Sequence, residues 1–341
     1  MDNAAIRMLL SAKKKESGLR AILCEAFGPV ASLRMGDAPD RAPAAGEVAI
    51  RVAAAGVNFP DGLIVEGRYQ TRPDLPFIPG CEAAGTIEAV GEGVNGFAPG
   101  DRVAAFTGTG GFAERAIVPA TQVYPLPDAI GFETAAGVLV TYGTSFHALK
   151  DRAALRSGET LLVLGAAGGV GLAAVELGRA MGARVIAAAS SEEKRALCRE
   201  HGADAAIDYA DLRAQVNDLT GDRGADVVYD PVGGEPALAA IKALAWSGRH
   251  LIIGFAGGDI PRIPANLLLL KSAASLGVLW GASLKRDPER HAAHIAELLG
   301  WTATGRLRPR IDASYPLERT ADALAHVMER RARGKVVVRI A

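Results

Sequence analysis

Cysteine is scarce, with three in 341 residues, and Cys24, Cys81 and Cys198 lie far apart. That spacing excludes a disulfide framework and a CxxC metal site, and it points to a reducing compartment, the cytoplasm. Net charge is lacking too. The 38 Lys and Arg residues balance 38 Asp and Glu residues, which argues against a polyanion-binding surface and against nucleic acid as a partner. No uninterrupted apolar run approaches the roughly 20 residues that cross a bilayer. The Ala/Val-rich stretch after Gly168 is broken by Glu176 and Arg179, so no membrane is expected. Residues 1–18 carry Lys13-Lys-Lys but lack the apolar core and cleavage site of a signal peptide. They read as a tail.

What the chain does have is two rhythms. Up to about Pro127 it is built of short Val/Ile/Ala segments cut by glycines, such as Glu47-Val-Ala-Ile-Arg-Val and Asp101-Arg-Val-Ala-Ala-Phe. Short strands with turn residues between them predict a β-rich barrel or sandwich. From Gly143 strand candidates at 160–164, 184–189, 205–207, 225–229, 249–254 and 275–280 alternate with helix-length stretches, the pattern of a doubly wound parallel sheet. A helix near 287–300, a strand near 311–313, a helix near 318–332 and a last strand from Lys335 do not continue that rhythm. They are expected to return to the first domain.

The join between the first strand and helix of the second rhythm reads Leu164-Gly-Ala-Ala-Gly-Gly-Val-Gly171. It departs from a strict GxGxxG because Ala167 takes the second glycine's place. A strand leads in, a helix leads out, and Arg184-Val-Ile-Ala-Ala-Ala follows at βαβ distance, so the loop is read as a dinucleotide cradle. Small residues let backbone N–H groups approach a pyrophosphate at the helix N-terminus. At the tip of the next strand, where an Asp or Glu would hold the ribose 2′-hydroxyl of NAD, the chain has Ala189-Ser-Ser191. A missing carboxylate removes repulsion from a 2′-phosphate, and Ser190, Ser191 and Lys194 offer donors to it. The expected cofactor is NADPH, with Glu192 and Glu193 read as first-turn acids facing solvent.

The chain resembles the medium-chain dehydrogenase/reductase superfamily, and within it the zinc-free quinone oxidoreductases of the zeta-crystallin type. The residues that carry the resemblance are Ala54-Ala-Gly-Val-Asn-Phe-Pro-Asp61, Leu75-Pro-Phe-Ile-Pro-Gly-Cys-Glu-Ala-Ala-Gly85, Pro99-Gly-Asp-Arg-Val103, the Ala166–Gly171 loop and Gly334-Lys-Val-Val-Val338. The likeness runs from Leu19 to Ile340. It implies an α/β protein in which a β-rich GroES-like domain (19–142) precedes a doubly wound Rossmann domain (143–282), with 283–341 returning to the first. The metal-dependent relatives place a Cys where this chain has Asn58, a His where it has Cys81, and a third ligand near Val140 or Thr141. Their four-cysteine structural lobe is replaced by the stretch from Ala105 to Ala113. The resemblance therefore implies no metal, with Cys81 a small buried residue.

The same resemblance places Asn58, Tyr69 and Thr141 at the nicotinamide end of a cleft and Gly168, Gly169, Val170 and Gly171 on the pyrophosphate. Ser190, Lys194 and Tyr209 match positions that hold the 2′-phosphate. Gly254, Phe255 and Ala256, with Leu279, Trp280 and Gly281, match segments flanking the nicotinamide. Tyr209 as a turn cap and Trp280 as core remain structural alternatives. Asp61 is read as a turn or interface residue, His147 as facing away from the cleft, and His291 with His294 as part of a solvated face.

Without a metal to polarise a carbonyl, the acceptors left are already electron-poor. The expected function is an NADPH-dependent reductase of quinones. The alternatives are a reductase of activated C=C bonds (enones, acrylate-like acids, enoyl thioesters) and a non-catalytic NADPH-binding protein. Tyr69 is the best candidate proton donor, set against a reading in which Asn58 and Tyr69 only position the cofactor. The apolar stretch Ala274–Trp280, at a sheet edge, implies a homodimer.

Overall fold

The computed structural model describes residues 18–38 and 40–340, so most of the N-terminal tail read from the sequence lies outside the described residues. The chain opens with a two-stranded ribbon of β1 (Leu19–Leu23) and β2 (Arg34–Ala38). Next come β3 (Glu47–Val57), helix α1 (Phe59–Val65), β4 (Glu82–Val90), β5 (Arg102–Phe106), β6 (Arg115–Pro119) and β7 (Val123–Pro125). In β3 the interior residues are almost all buried, because one flank carries β4 and the other is shared by β6 and a strand from the far end of the chain.

Two helices, α2 (Phe132–Ala136) and α3 (Leu139–Phe146), lead to the second domain. Gly143, where the sequence rhythm changes, lies inside α3, so one continuous helix joins the two regimes. Strands β8 (Thr160–Val163), β9 (Arg184–Ala188), β10 (Ala205–Ile207), β11 (Ala225–Asp230), β12 (Leu244–Ile252) and β13 (Ala274–Gly277) alternate with α4 (Gly169–Ala180), α5 (Glu192–Glu200), α6 (Leu212–Thr220), α7 (Gly234–Lys242) and α8 (Ala265–Leu269). All six strands are parallel, in the order β10-β9-β8-β11-β12-β13. This is the Rossmann order, whose switch point falls between β8 and β11. β8 is buried along its whole length, as a strand covered by helices on both faces must be.

After α9 (Trp280–Arg286) and α10 (Pro288–Ala303) the chain returns. Strands β14 (Ile311–Pro316) and β15 (Lys335–Arg339) flank α11 (Thr320–Met328), and β15 pairs antiparallel with β3, Val336 opposite Val57. The seven-stranded sheet is therefore sewn from both ends of the sequence.

Three expectations need correction. The strand expected at 275–280 ends at Gly277, and Trp280 begins a helix. The strand expected at 249–254 begins five residues earlier than the periodicity indicated, at Leu244. His291 and His294 do not face solvent: they are 1% and 8% exposed. They extend the apolar stripe Ile295, Leu298 and Leu299 of α10 by one turn, and pack against Phe146, His147 and Trp280. Burial lowers both imidazoles, His291 to about 4, with His147 and His294 adding to the effect on His291.

Candidate active site

The cradle sits where β8 ends, outside the carboxyl edge of the sheet and beside the switch point. Gly165 turns the chain at φ +57°. Gly168 caps α4 with no side-chain hydrogen bond, so the first-turn N–H groups of Gly169, Val170 and Gly171 keep their capacity to bind an anion. A Cβ on Gly171 would lie 2.3 Å from the Gly165 carbonyl oxygen. Only glycine lets the helix start this close to the turn. The cradle thus fits a dinucleotide pyrophosphate. It is also where the returning segment arrives, since Gly334 forms a β-bridge with Gly168.

At the tip of β9, Ser190 is exposed, and the Ser191 hydroxyl caps α5 by accepting from the Lys194 N–H at 3.3 Å. The Lys194 ammonium reaches the carbonyl of Arg330 at 3.3 Å. Glu192 pairs with Arg195 and Arg199 of its own helix, and Glu193 with Arg333. Neither acid is left as a free ribose acceptor at the strand tip. Tyr209 is engaged elsewhere: its hydroxyl accepts from the Gly165 N–H at 2.8 Å and donates to the Ala188 carbonyl at 3.2 Å. It braces the turn of the cradle against β9, and burial pushes its phenol up to about 12.

The floor of the candidate site is formed where β3 runs into α1. Asn58 is the N-cap of α1 and almost fully buried. Its Nδ2 donates to Glu82 Oε1 at 2.8 Å and to Cys81 Sγ at 3.3 Å, and its Oδ1 accepts from the Lys335 ammonium at 2.5 Å. Lys335 also pairs with Glu82, whose second oxygen takes the Val140 N–H at 2.9 Å. Asp61 accepts from the Asn58 N–H at 2.8 Å, and burial pushes its carboxyl up to about 6. The Cys81 thiol is pushed well above its ordinary value, first by burial and then by Asp61 and Glu82. Lys335 and Glu82 both lie in motifs quoted above, but nothing in the sequence shows that they meet.

Thr141 sends its hydroxyl proton to the Gly137 carbonyl at 2.7 Å and lays its methyl over Gly169. Tyr69 follows α1 and is half-buried; burial raises its phenol, with Cys81 and Asp61 adding to the effect and Gln70 opposing it. Asn58 and Thr141 have their donor protons committed to protein acceptors. Tyr69 has Gln70 hydrogen-bonded at its hydroxyl, but among the described residues it gives its proton to no acceptor.

Gly254, Phe255 and Ala256 follow β12, with Gly254 and Ala256 held to the Asp230-Pro231 backbone. Trp280 is buried, edge-on to Phe106 at 5.3 Å and pressed on Gly143, where a Cβ would lie 2.6 Å from its ring. It packs as core. Leu279 is exposed, and Gly281 faces Phe106. His147 is buried against Asp151 at 2.7 Å, beside His291.

A zinc ion does not fit the floor. The groups at the expected ligand positions are a carboxamide, a thiol held protonated and a threonine whose hydroxyl is turned to its own helix, with an ammonium already in contact with the carboxamide oxygen. Among the described residues no three His, Cys, Asp or Glu side chains are placed to hold a metal.

Residues 44–128 match the family model described as an alcohol dehydrogenase GroES-like domain, and residues 169–297 the one described as a zinc-binding dehydrogenase. A quinone oxidoreductase-like protein 2 homolog from Nematostella vectensis is 39% identical over 86% of this chain and 81% of its own. The human quinone oxidoreductase is 32% identical over 94% and 97%. The chain belongs to the quinone oxidoreductase family. Its fold is that of the medium-chain dehydrogenase/reductase superfamily. The Escherichia coli quinone oxidoreductase, solved as a complex with NADPH, superposes with a TM-score of 0.87 at 27% identity over 94% of this chain and 99% of that one. The Pseudomonas syringae quinone oxidoreductase does so with a TM-score of 0.89 at 31% identity over the same shares. Like those family members, this chain is an oxidoreductase.

Proposed function

We propose that the protein is an NADPH-dependent, zinc-independent reductase that delivers hydride to a quinone. The observation that carries this is the junction of a glycine cradle at the sheet's switch point with a floor whose fixed cation is an ammonium, not a metal. The Escherichia coli relative's complex with NADPH supports the choice of cofactor, as do the exposed Ser190 and half-buried Lys194 at a strand tip whose acids are paired elsewhere.

Gly168 to Gly171 would hold the pyrophosphate, Ser190 and Lys194 the 2′-phosphate, and Thr141 the nicotinamide ribose end. When bound, the cofactor supplies a hydride, two electrons with one proton. The acceptor takes that hydride and one further proton, so quinone becomes hydroquinone as NADPH becomes NADP⁺. Tyr69 would give the further proton. Its hydroxyl proton also favours a second reading, reduction of a C=C bond conjugated to a carbonyl, where a proton must be delivered to the enolate. We further propose a cytoplasmic homodimer joined through β13. That edge strand lies in a sheet with Trp246, Leu269, Leu270 and Leu279 exposed nearby, an apolar surface suited to burial. A monomer in light scattering at micromolar concentration would oppose the dimer.

The experiment is NADPH oxidation followed at 340 nm across quinones and enones. Turnover of quinones is expected. NADPH binding without turnover of any acceptor would refute the enzyme and leave a binding protein.

A further inference from the structure

The Lys335–Glu82 pair is a buried ion pair, and such pairs seldom stabilise a fold relative to well-packed apolar groups. Glu82 is completely buried and Lys335 nearly so, which leaves their role to be found in what they face. A reduction that sends hydride to an electron-poor acceptor builds negative charge there. A lone carboxylate in the floor would oppose that charge in a medium that screens poorly. The Lys335 ammonium cancels it. The same ammonium meets Asn58 Oδ1, which turns Nδ2 toward Glu82 and Cys81 and leaves the carboxamide one orientation.

We propose that Lys335 is a positioning residue for hydride transfer: it neutralises Glu82 and clamps the Asn58 carboxamide beneath the cleft. This rests on the chain's being an NADPH-dependent reductase. A purely structural tie between β15 and the β3–β4 pair would show only in stability.

The full-length protein is compared with Lys335→Met and with the double variant Lys335→Met/Glu82→Gln. Lys335→Met should lower kcat for a quinone by about 10²-fold, the scale on which fixed electrostatic contacts act, with the quinone KM little changed. A second reading needs no turnover. The nicotinamide ring is neutral when reduced and cationic when oxidised, so an uncompensated Glu82 should shift the ratio of NADP⁺ to NADPH affinity about tenfold toward NADP⁺. The double variant, with no buried charge left, should restore that ratio and recover about tenfold in kcat. Where the single variant does not fold, the double variant decides: a kcat about tenfold below wild type at unchanged KM supports the clamp, and wild-type kcat overturns it. Wild-type protein inactive on every acceptor sinks the functional reading and this inference with it. Wild-type turnover with kcat and affinity ratio unmoved in Lys335→Met sinks this inference alone.

Discussion

Tyr209→Phe is the sharpest test of how the cradle is built. The family resemblance puts Tyr209 on the 2′-phosphate, whereas here its hydroxyl lies between the Gly165 N–H and the Ala188 carbonyl. Removing the oxygen leaves the Gly165 N–H without its acceptor in a half-buried place, while the Ala188 carbonyl keeps the Ala166 N–H at 3.1 Å. An unpaired donor costs about 1–3 kcal/mol when fully buried, and water reaching the gap keeps the loss near the lower end of that range. Thermal unfolding should fall by a few degrees. Because Gly165 is the turn that aims the N–H groups of α4, affinity should fall for NADPH and NADH by the same factor. Differential scanning fluorimetry and fluorescence titration of both cofactors measure the two quantities. An unchanged Tm with a loss confined to NADPH would refute the reasoning and return Tyr209 to the 2′-phosphate.

Lys194→Ala should behave in the opposite way, weakening NADPH by about tenfold, as loss of one charge-assisted hydrogen bond implies, while NADH titrations stay flat. Equal losses for both cofactors would remove Lys194 from the 2′-phosphate site. Tyr69→Phe should lower kcat at saturating NADPH by about 10²-fold if its proton is used; an unchanged kcat on both a quinone and an enone would leave a site that works by positioning. The buried imidazoles predict acid sensitivity. His291 is depressed in the folded state to about 4 from an ordinary 6.5, so the unfolded chain binds more protons between those values, and stability should be full above pH 6.5 and decline toward pH 4. His291→Gln should flatten that decline in a Tm-against-pH series, and an equally steep curve would place the sensitivity elsewhere.

The doubly wound sheet and the cradle could be read from the sequence because their signals are local. A buried strand, a run of small residues and a helix follow one another within 160–180, and spacing alone marks the candidate pyrophosphate site. The floor of the cleft could not be read that way. Asn58 meets Glu82 across 24 positions and Lys335 across 277, and a lysine in a strand of valines gives no hint that it points inward. The α10 histidines misled for a related reason. Polar type outweighed periodicity, although 291, 294, 295, 298 and 299 already make one helical stripe. Trp280 failed differently: an apolar run ending in tryptophan looks like strand, and only the packing of the ring on Gly143 turns it into the start of a helix.

The pairing of β15 with β3 has a consequence for how the protein comes into being. On a ribosome the nucleotide domain completes its sheet from one contiguous stretch, but the domain made first is finished last. From Ala54 to Val57, one side of β3 stays open until residues 335–339 have been made, and Asn58 is the next residue along. For most of synthesis the chain therefore carries an exposed strand edge of the kind that invites mispairing. The cleft floor waits on Lys335, so a nascent chain is able to form a nucleotide-binding fold well before it has the site it serves.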